Sequence, residues 1–343
     1  MSRYRLTVVL SQAAGKHPAK RSLEEDIVAA LLMEPGIDAS IIPNLYDLDS
    51  EHTGRLFLGG VPGDMVVLSW LYSRAAFWLL DRDGIQGQYG ETLLKRPSED
   101  EEEEEETAIE SKKGVGSTGA IPDRYIYCLD LRDYNNSAPY LKEVRRILEE
   151  SRTRYEQKQV AKSVAQPAMV QLGIPAKNGS AVAAFSPEQL LAPPNRRWYP
   201  VIDYSRCTNC MECLDFCLFG VYDVNSLNKL VVENQDQCKK GCPACSRVCP
   251  EQAIMFPEYK SPAIAGAATG SISNLKIDLT KLFGGETKDA VSQAVEERDR
   301  ELLADGRQAV GTTVGLSKRQ SSKDEGPKDD LDKLMDDLDA LGL

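Results

Sequence analysis

The chain has 343 residues, with 41 Lys and Arg against 53 Asp and Glu, and a formal net charge of -12 at pH 7. Because 42% of the residues are hydrophobic, the chain can bury a core, which excludes wholesale disorder. No apolar stretch reaches the roughly 18 residues of a membrane-spanning helix, and the longest, 65–80, is interrupted by Arg74. The apolar run at the N-terminus is too short for a secretory signal. We expect a cytoplasmic protein of about two domains.

The acidity is confined to two segments of the chain. Residues 99–106 are eight consecutive acids, and residues 322–343 contain eight acids and three lysines. The rest of the chain is therefore close to neutral. Since no basic stripe with interleaved aromatic residues occurs, nucleic acid is not expected as a partner. Two histidines, His17 and His52, leave little material for a histidine-based triad or a multi-histidine metal site.

Strands and helices alternate through residues 1–151. Apolar and β-branched runs predict strands at 4–10, 39–45, 64–71 and 124–131, and helical spacing of apolar residues predicts helices at 21–33, 75–80 and 139–151. Ser22 and Glu25 are spaced as a capping box for the first helix. The turn at 59–63 is interpreted as a loop that feeds the third strand. The alternation predicts an α/β layer domain with a mostly parallel sheet.

Two polar segments separate this domain from the next part of the chain. Residues 95–121 combine the eight acids with Ser and Gly, so we expect a disordered insertion. Gly114 to Gly119 match G-x-G-x-x-G, but no predicted strand precedes them and no helix follows, which favours a flexible linker over a nucleotide site. Residues 152–197 are predicted to be a linker that begins with a polar stretch that could be helical and ends rich in Pro, Ala, Gly and Asn.

Cysteine is the most informative residue type. Eight of the nine cysteines fall in two runs, with the spacings C-x2-C-x2-C-x3-C and C-x3-C-x2-C-x3-C: Cys207, Cys210, Cys213, Cys217, Cys238, Cys242, Cys245 and Cys249. Because an intracellular chain keeps its thiols reduced, this clustering indicates metal ligation rather than disulfides. Structural zinc in two four-cysteine sites stays open, although zinc sites usually come as C-x2-C pairs separated by longer loops. Cys128, alone in a predicted strand, is interpreted as a small buried hydrophobe.

Residues 198–258 resemble the bacterial ferredoxin domain that carries two 4Fe–4S clusters, a small α+β module. The resemblance rests on the two cysteine runs, on Pro250 after the last cysteine, and on predicted strands at 198–203, 220–224, 230–232 and 253–256. It implies that the fourth cysteine of each run ligates the other cluster. One cluster would then take Cys207, Cys210, Cys213 and Cys249, and the other Cys238, Cys242, Cys245 and Cys217.

The match departs from the family pattern at two places. The second run has Lys239, Lys240 and Gly241 between its first two cysteines, where the family usually has two residues. Leu218 follows the first run, where the family usually has Pro. Neither departure removes a ligand, and Gly241 could absorb the extra residue in a wider turn.

Residues 259–343 are predicted to be a flexible tail with two helices. One charged helix is expected near 286–303. The other, at 328–343, is acidic and amphipathic, because Leu331, Leu334, Met335, Leu338 and Leu341 recur at helical spacing with aspartates between them. This second helix either packs on its own protein, frays, or docks in a groove of a partner.

The sequence therefore predicts an iron–sulfur protein that passes single electrons between redox partner proteins, as a carrier or as a subunit of a larger redox complex. Two alternatives stay open. The α/β domain could bind a substrate or cofactor and be fed by the clusters, which would make the chain a redox enzyme. The clusters, or zinc, could instead only stabilise a scaffold. No catalytic residue is assigned.

Overall fold

A computed structural model of the chain describes residues 4–15, 17–94, 121–165, 190–191, 193–267 and 290–313. Three predicted features lie outside the described residues: nearly all of the acidic insertion with its glycine motif, much of the linker, and the acidic helix at 328–343. Among the helices of the described ranges, none combines the length and apolar character needed to cross a bilayer.

Five strands form one parallel sheet in the first part of the chain. They are β1 (Leu6–Ser11), β2 (Ile37–Ile42), β3 (Met65–Ser69), β4 (Gln88–Gly90) and β5 (Tyr125–Asp130). Their order in the sheet is β2-β1-β3-β5-β4, and every pairing is parallel. In the centre of the sheet, Val8 lies opposite Ala39 on one side and Val66 on the other. The predicted α/β layer with a mostly parallel sheet is confirmed, while the short edge strand β4 was not predicted.

Four helices connect or follow these strands. They are α1 (Pro18–Met33), α2 (Thr53–Gly60), α3 (Ser73–Arg82) and α4 (Ala138–Ala165). The predicted capping box is wrong: α1 begins at Pro18, whose fixed φ suits the first helical position, so Ser22 lies inside the helix. Helix α4 continues through residues predicted as the start of the linker, where Arg152 and Glu156 form an i, i+4 ion pair. Helix α2 was not predicted.

The two faces of the sheet bury different partners. Alternate strand residues face opposite sides, so Val8 and Leu68 pack with the helices α1 and α4. Val9, Val67 and Cys128 face the other way and belong to a core shared with α3 and with residues that follow position 198. The sheet is thus covered on one side by helices and on the other by α3 and the cysteine-rich part of the chain.

The cysteine-rich part, residues 193–267, is called here the cysteine region. Its elements are β6 (Val201–Ile202), α5 (Glu212–Phe216), β7 (Tyr222–Val224), β8 (Leu230–Val232), α6 (Ala244–Val248), β9 (Ile254–Met255) and α7 (Pro262–Ala265). Strands β6 and β9 pair antiparallel, and β7 and β8 form an antiparallel hairpin. All four strands fall inside their predicted segments: β8 matches its segment, and the other three are shorter than predicted.

A last described helix, α8 (Ala290–Ala304), packs on α6 of the cysteine region. Ala294 and Val295 of α8 share a small core with Phe216 and Val248. The predicted charged helix near 286–303 therefore exists, and this part of the predicted flexible tail is tied to the cysteine region.

Buried polar contacts join the cysteine region to the α/β layer. The Arg74 guanidinium forms an ion pair with Asp203 at 2.5 Å and also donates to the Gln252 carbonyl at 2.8 Å. Tyr46 and Tyr199 hydrogen-bond reciprocally, each hydroxyl donating to the other's backbone carbonyl, at 2.6 and 2.8 Å. Because these groups are buried and mutually satisfied, they fix the cysteine region against the face of the sheet.

Candidate functional site

Each cysteine run folds as a turn followed by a short helix that leads into its fourth cysteine. In the first run α5 leads directly into Cys217, whose backbone N–H donates to the Cys213 carbonyl at 3.0 Å. In the second run α6 leads into Cys249, whose N–H donates to the Cys245 carbonyl at 3.2 Å. The two halves therefore place their third and fourth cysteines in equivalent positions, at the two ends of one helical turn.

The turn of the first run is held by residues in the left-handed conformation. Asn209 and Met211, on either side of Cys210, have φ of 61° and 64°, which is uncommon for residues other than glycine. The Asn209 side chain accepts from the Leu230 N–H at 2.8 Å and donates to the Asn228 carbonyl at 2.6 Å. The β7–β8 hairpin thus fixes the loop that presents Cys210.

The turn of the second run accommodates the extra residue seen in the sequence. The Cys242 N–H donates to the Lys239 carbonyl at 3.0 Å, which closes a four-residue turn. Gly241 occupies the third position of this turn with a φ of +89°, the conformation that glycine adopts without steric cost. The insertion is therefore absorbed locally, as the glycine predicted.

The eight thiols fall into two groups, each with three cysteines of one run and the fourth of the other. One group lines a cavity in the cysteine region: Cys217, Cys238, Cys242 and Cys245. The members of the other group interact electrostatically: Cys207, Cys210, Cys213 and Cys249. Cys210 is exposed, whereas Cys213, Cys242 and Cys245 are buried. Within the described ranges, no three His, Cys, Asp or Glu side chains converge as the ligands of a single metal ion.

Burial dominates the electrostatics of these thiols. Burial, reinforced by Cys249 and the other nearby thiols, raises the pKa of Cys213. Burial is also the main cause that raises the pKa of Cys242 to about 11, and it raises the pKa of Cys245 well above its usual range. The raised pKa values favour the protonated thiols. A bound metal centre would reverse this preference, because its positive charge stabilises the thiolate that ligates it.

Backbone amides are aimed at the fourth cysteine of each run. The groups directed at the Cys217 sulfur are the N–H groups of Phe219, Gly220 and Val221. Those directed at the Cys249 sulfur are the N–H groups of Glu251, Ala253 and Ile254, and the Ala253 bond measures 3.3 Å. Each of these bonds lowers the pKa of its thiol against the larger, opposing effect of burial. Such donors stabilise negative charge on sulfur, as metal-bound thiolates require.

Three side chains at the site were not singled out from the sequence. The Tyr222 hydroxyl donates to the Cys245 sulfur at 3.0 Å. The Trp198 indole N–H donates to the Cys242 carbonyl at 3.3 Å, and its ring stacks on Phe256 at a centroid distance of 5.1 Å. Arg298, on helix α8, lines the cavity. The two aromatic residues lie in or beside predicted strands, but Arg298 lies in a charged helix far along the chain and gave no local signal.

The ninth cysteine belongs to the sheet. Cys128 lies in β5, is almost completely buried, and belongs to the core shared by the sheet and the cysteine region. Burial raises the pKa of its thiol, so the neutral form is favoured. The prediction of a small buried hydrophobe is confirmed.

Comparison with known proteins supports a ferredoxin-like segment. The chain is 50% identical over 66 residues to an uncharacterized ferredoxin of Methanocaldococcus jannaschii, which covers 19% of this chain and 44% of that protein. The chain therefore spans less than half the length of this relative. No protein-family profile matches the chain, and no solved structure matches it. The chain contains a ferredoxin-like segment, in agreement with the resemblance of its cysteine spacing.

Proposed function

We propose that this chain is an iron–sulfur electron-transfer protein that carries two 4Fe–4S clusters. One cluster is held by the first group of thiols: Cys207, Cys210, Cys213 and Cys249. The other is held by the second group: Cys217, Cys238, Cys242 and Cys245. When bound, the clusters take up and release single electrons, while the chain supplies the thiolates, the amide donors and the dry surroundings.

The observation that carries this proposal is the crossed grouping of the thiols. Each short helix separates the third cysteine of its run from the fourth, and the fourth joins the group of the other run. A cubane cluster needs four ligands spread around its corners, and the four thiols of the second group line one cavity. A single zinc ion would instead draw its four ligands toward one point. The 50% identity to a ferredoxin supports the same chemistry.

The cysteine region suits the transfer of electrons to a partner protein. Cys210 is exposed, so a cluster on the first group would lie close to the surface, whereas Cys242 and Cys245 are buried. Electron transfer requires no bond to break in the protein, so the chain has only to hold the clusters with its thiolates in fixed surroundings. The acidic segments 99–106 and 322–343 would steer a basic redox partner at low salt. The segment 328–343 is a candidate for docking, and its deletion tests that role.

Reduction and reoxidation of the anaerobically purified full chain test the proposal. We expect the visible absorbance of the clusters to bleach with a low-potential donor and to return with an acceptor, without unfolding. Cys217→Ser is expected to remove one cluster and about half of the iron, and the matched variant Cys128→Ala to remove none. Clusters that resist reduction until the chain unfolds would support the alternative in which the clusters only stabilise a scaffold. Zinc in place of iron would overturn the proposal.

A polar cavity favours a second candidate function, that of a redox enzyme. It measures about 410 Å³ and lies where the cysteine region meets the α/β layer. Its walls include Asp47, Arg197, Trp198, Lys240 and the second-group ligand Cys238. A small polar molecule bound there would lie beside the second cluster. Mass spectrometry of material released from the purified chain would favour this function if it detects a stoichiometric small molecule.

A further inference from the structure

We propose that Arg298, carried into the cysteine region by helix α8, raises the midpoint potential of the cluster on the second group of thiols. The inference rests on the proposed function, since it requires a cluster in that cavity. Helix α8 lies outside the segment that resembles a ferredoxin, so its contribution cannot be read from the cysteine pattern.

Helix α8 and the turn after it are anchored on the second group of thiols at several points. Ala294 and Val295 pack in a core that includes Cys242. Glu297 forms an ion pair with Arg247 of α6 at 2.9 Å. Beyond the helix, two contacts involve neighbours of the ligands. Lys239 pairs with Asp305, and the Arg307 guanidinium donates to the Leu218 carbonyl at 3.0 Å. Because Leu218 follows Cys217 and Lys239 follows Cys238, the anchoring reaches both of these ligands.

Arg298 is the residue of α8 that lines the cavity. Its side chain is 1% exposed, and its guanidinium lies over the Phe216 ring at 4.4 Å from the centroid. It donates to the Gly311 carbonyl at 2.6 Å and to Asp299 at 3.2 Å. Burying a guanidinium costs free energy unless such partners satisfy it. These contacts therefore stabilise the positive charge of Arg298 at the cavity wall.

The other charges of α8 lie farther from the dry interior. Asp299 is 14% exposed and partly offsets Arg298 through their ion pair. Glu297 is paired with Arg247. The charges of Glu301 and Glu297 raise the pKa of the nearby Cys242 thiol, which is the opposite of the effect of a cation. Arg300 carries the same charge as Arg298 but is 68% exposed, so water screens it. Arg298 is therefore the cation of α8 with the strongest effect on the cavity.

Reduction adds one electron to a cluster and makes it more negative. A buried cation nearby stabilises the reduced form more than the oxidised form, and so it raises the midpoint potential. A buried anion has the opposite effect. Arg298 and Asp299 should therefore shift the same potential in opposite directions, although both residues contact the same turn at Gly311.

A redox titration of four full-length variants, followed by EPR, tests this assignment after each variant has been shown to bind iron and sulfide as the parent chain does. Arg298→Gln should lower the reduction equilibrium constant of one cluster at least tenfold, which corresponds to a fall of about 59 mV in its midpoint potential. The midpoint potential of the other cluster should not change. Asp299→Asn should raise the same potential. Arg298→Lys should restore most of the parent value, and the matched control Arg300→Gln should change neither cluster.

Two outcomes would overturn the inference. Shifts of Arg298→Gln and Asp299→Asn in the same direction would indicate a structural role for the turn at Gly311. A shift of Arg298→Gln no larger than that of Arg300→Gln would show that the buried charge does not act on the cluster. If Arg298→Gln loses iron, the Asp299→Asn and Arg298→Lys titrations decide the question. A parent chain without iron and sulfide would refute the proposed function itself and is distinguished by the metal count.

Discussion

The buried ion pair of Arg74 with Asp203 should be the contact that most strongly fixes the cysteine region to the sheet. The two side chains are 6% and 1% exposed and approach to 2.5 Å. Arg74→Ala would leave the buried Asp203 carboxylate with the more distant Arg206, at 3.7 Å, as an ion-pair partner, and would also remove the hydrogen bond to Gln252. Removing one member of a buried pair costs about 3–5 kcal/mol. With a urea slope of about 2 kcal/mol per molar, the unfolding midpoint should fall by roughly 1.5–2.5 M.

The assay is anaerobic urea unfolding of chains matched in iron content, with Arg152→Ala as the control. Arg152 and Glu156 form an exposed pair, with side chains 58% and 65% accessible, which contributes about 0.5 kcal/mol or less. The double variant Arg74→Met with Asp203→Asn should recover part of the loss, because it leaves no buried charge. A loss of stability for Arg74→Ala no larger than that for Arg152→Ala would show that the buried pair does not hold the cysteine region in place.

Three further substitutions test separate parts of the structure. Gly241→Ala forces a side chain onto a φ of +89° and should lower the free energy of unfolding in urea by about 1–2 kcal/mol. The control Gly59→Ala, in helix α2, should instead raise it by about 0.5–1 kcal/mol. Equal effects of the two substitutions would contradict the turn geometry. Tyr222→Phe removes the hydrogen bond to the Cys245 sulfur and should lower one cluster potential in a redox titration, and an unchanged potential would exclude that contribution. Cys128→Ala should leave the iron content unchanged, since that thiol is buried in the sheet; iron loss would identify it as a ligand.

Much of the α/β layer could be predicted because its strands are local patterns. The four longer strands are apolar, β-branched runs, and they lie at or within a few residues of the predicted positions. The short elements β4 and α2 have too few residues to produce a periodic signal. Helix α1 begins at Pro18 because proline suits the first turn, and this outweighed the spacing of Ser22 and Glu25.

The candidate ligands could be named from spacing alone, but their surroundings could not. Arg74 was visible in the sequence only as an interruption of an apolar run, because its partner Asp203 lies 129 residues away. Arg298 lies in a helix whose mixed charges are typical of a solvated surface, and only the packing on α6 shows that it is buried. Gly241 was the exception, since a glycine beside an inserted residue indicates a turn with positive φ.

We propose above that eight cysteines of this chain hold two cubane clusters. The most direct test is to purify the full chain without oxygen, to count iron, acid-labile sulfide and zinc per chain, and to record EPR spectra before and after dithionite. We expect about eight irons, about eight sulfides and a reduced spectrum of two interacting clusters. Zinc without sulfide, and no reduced signal, would contradict it.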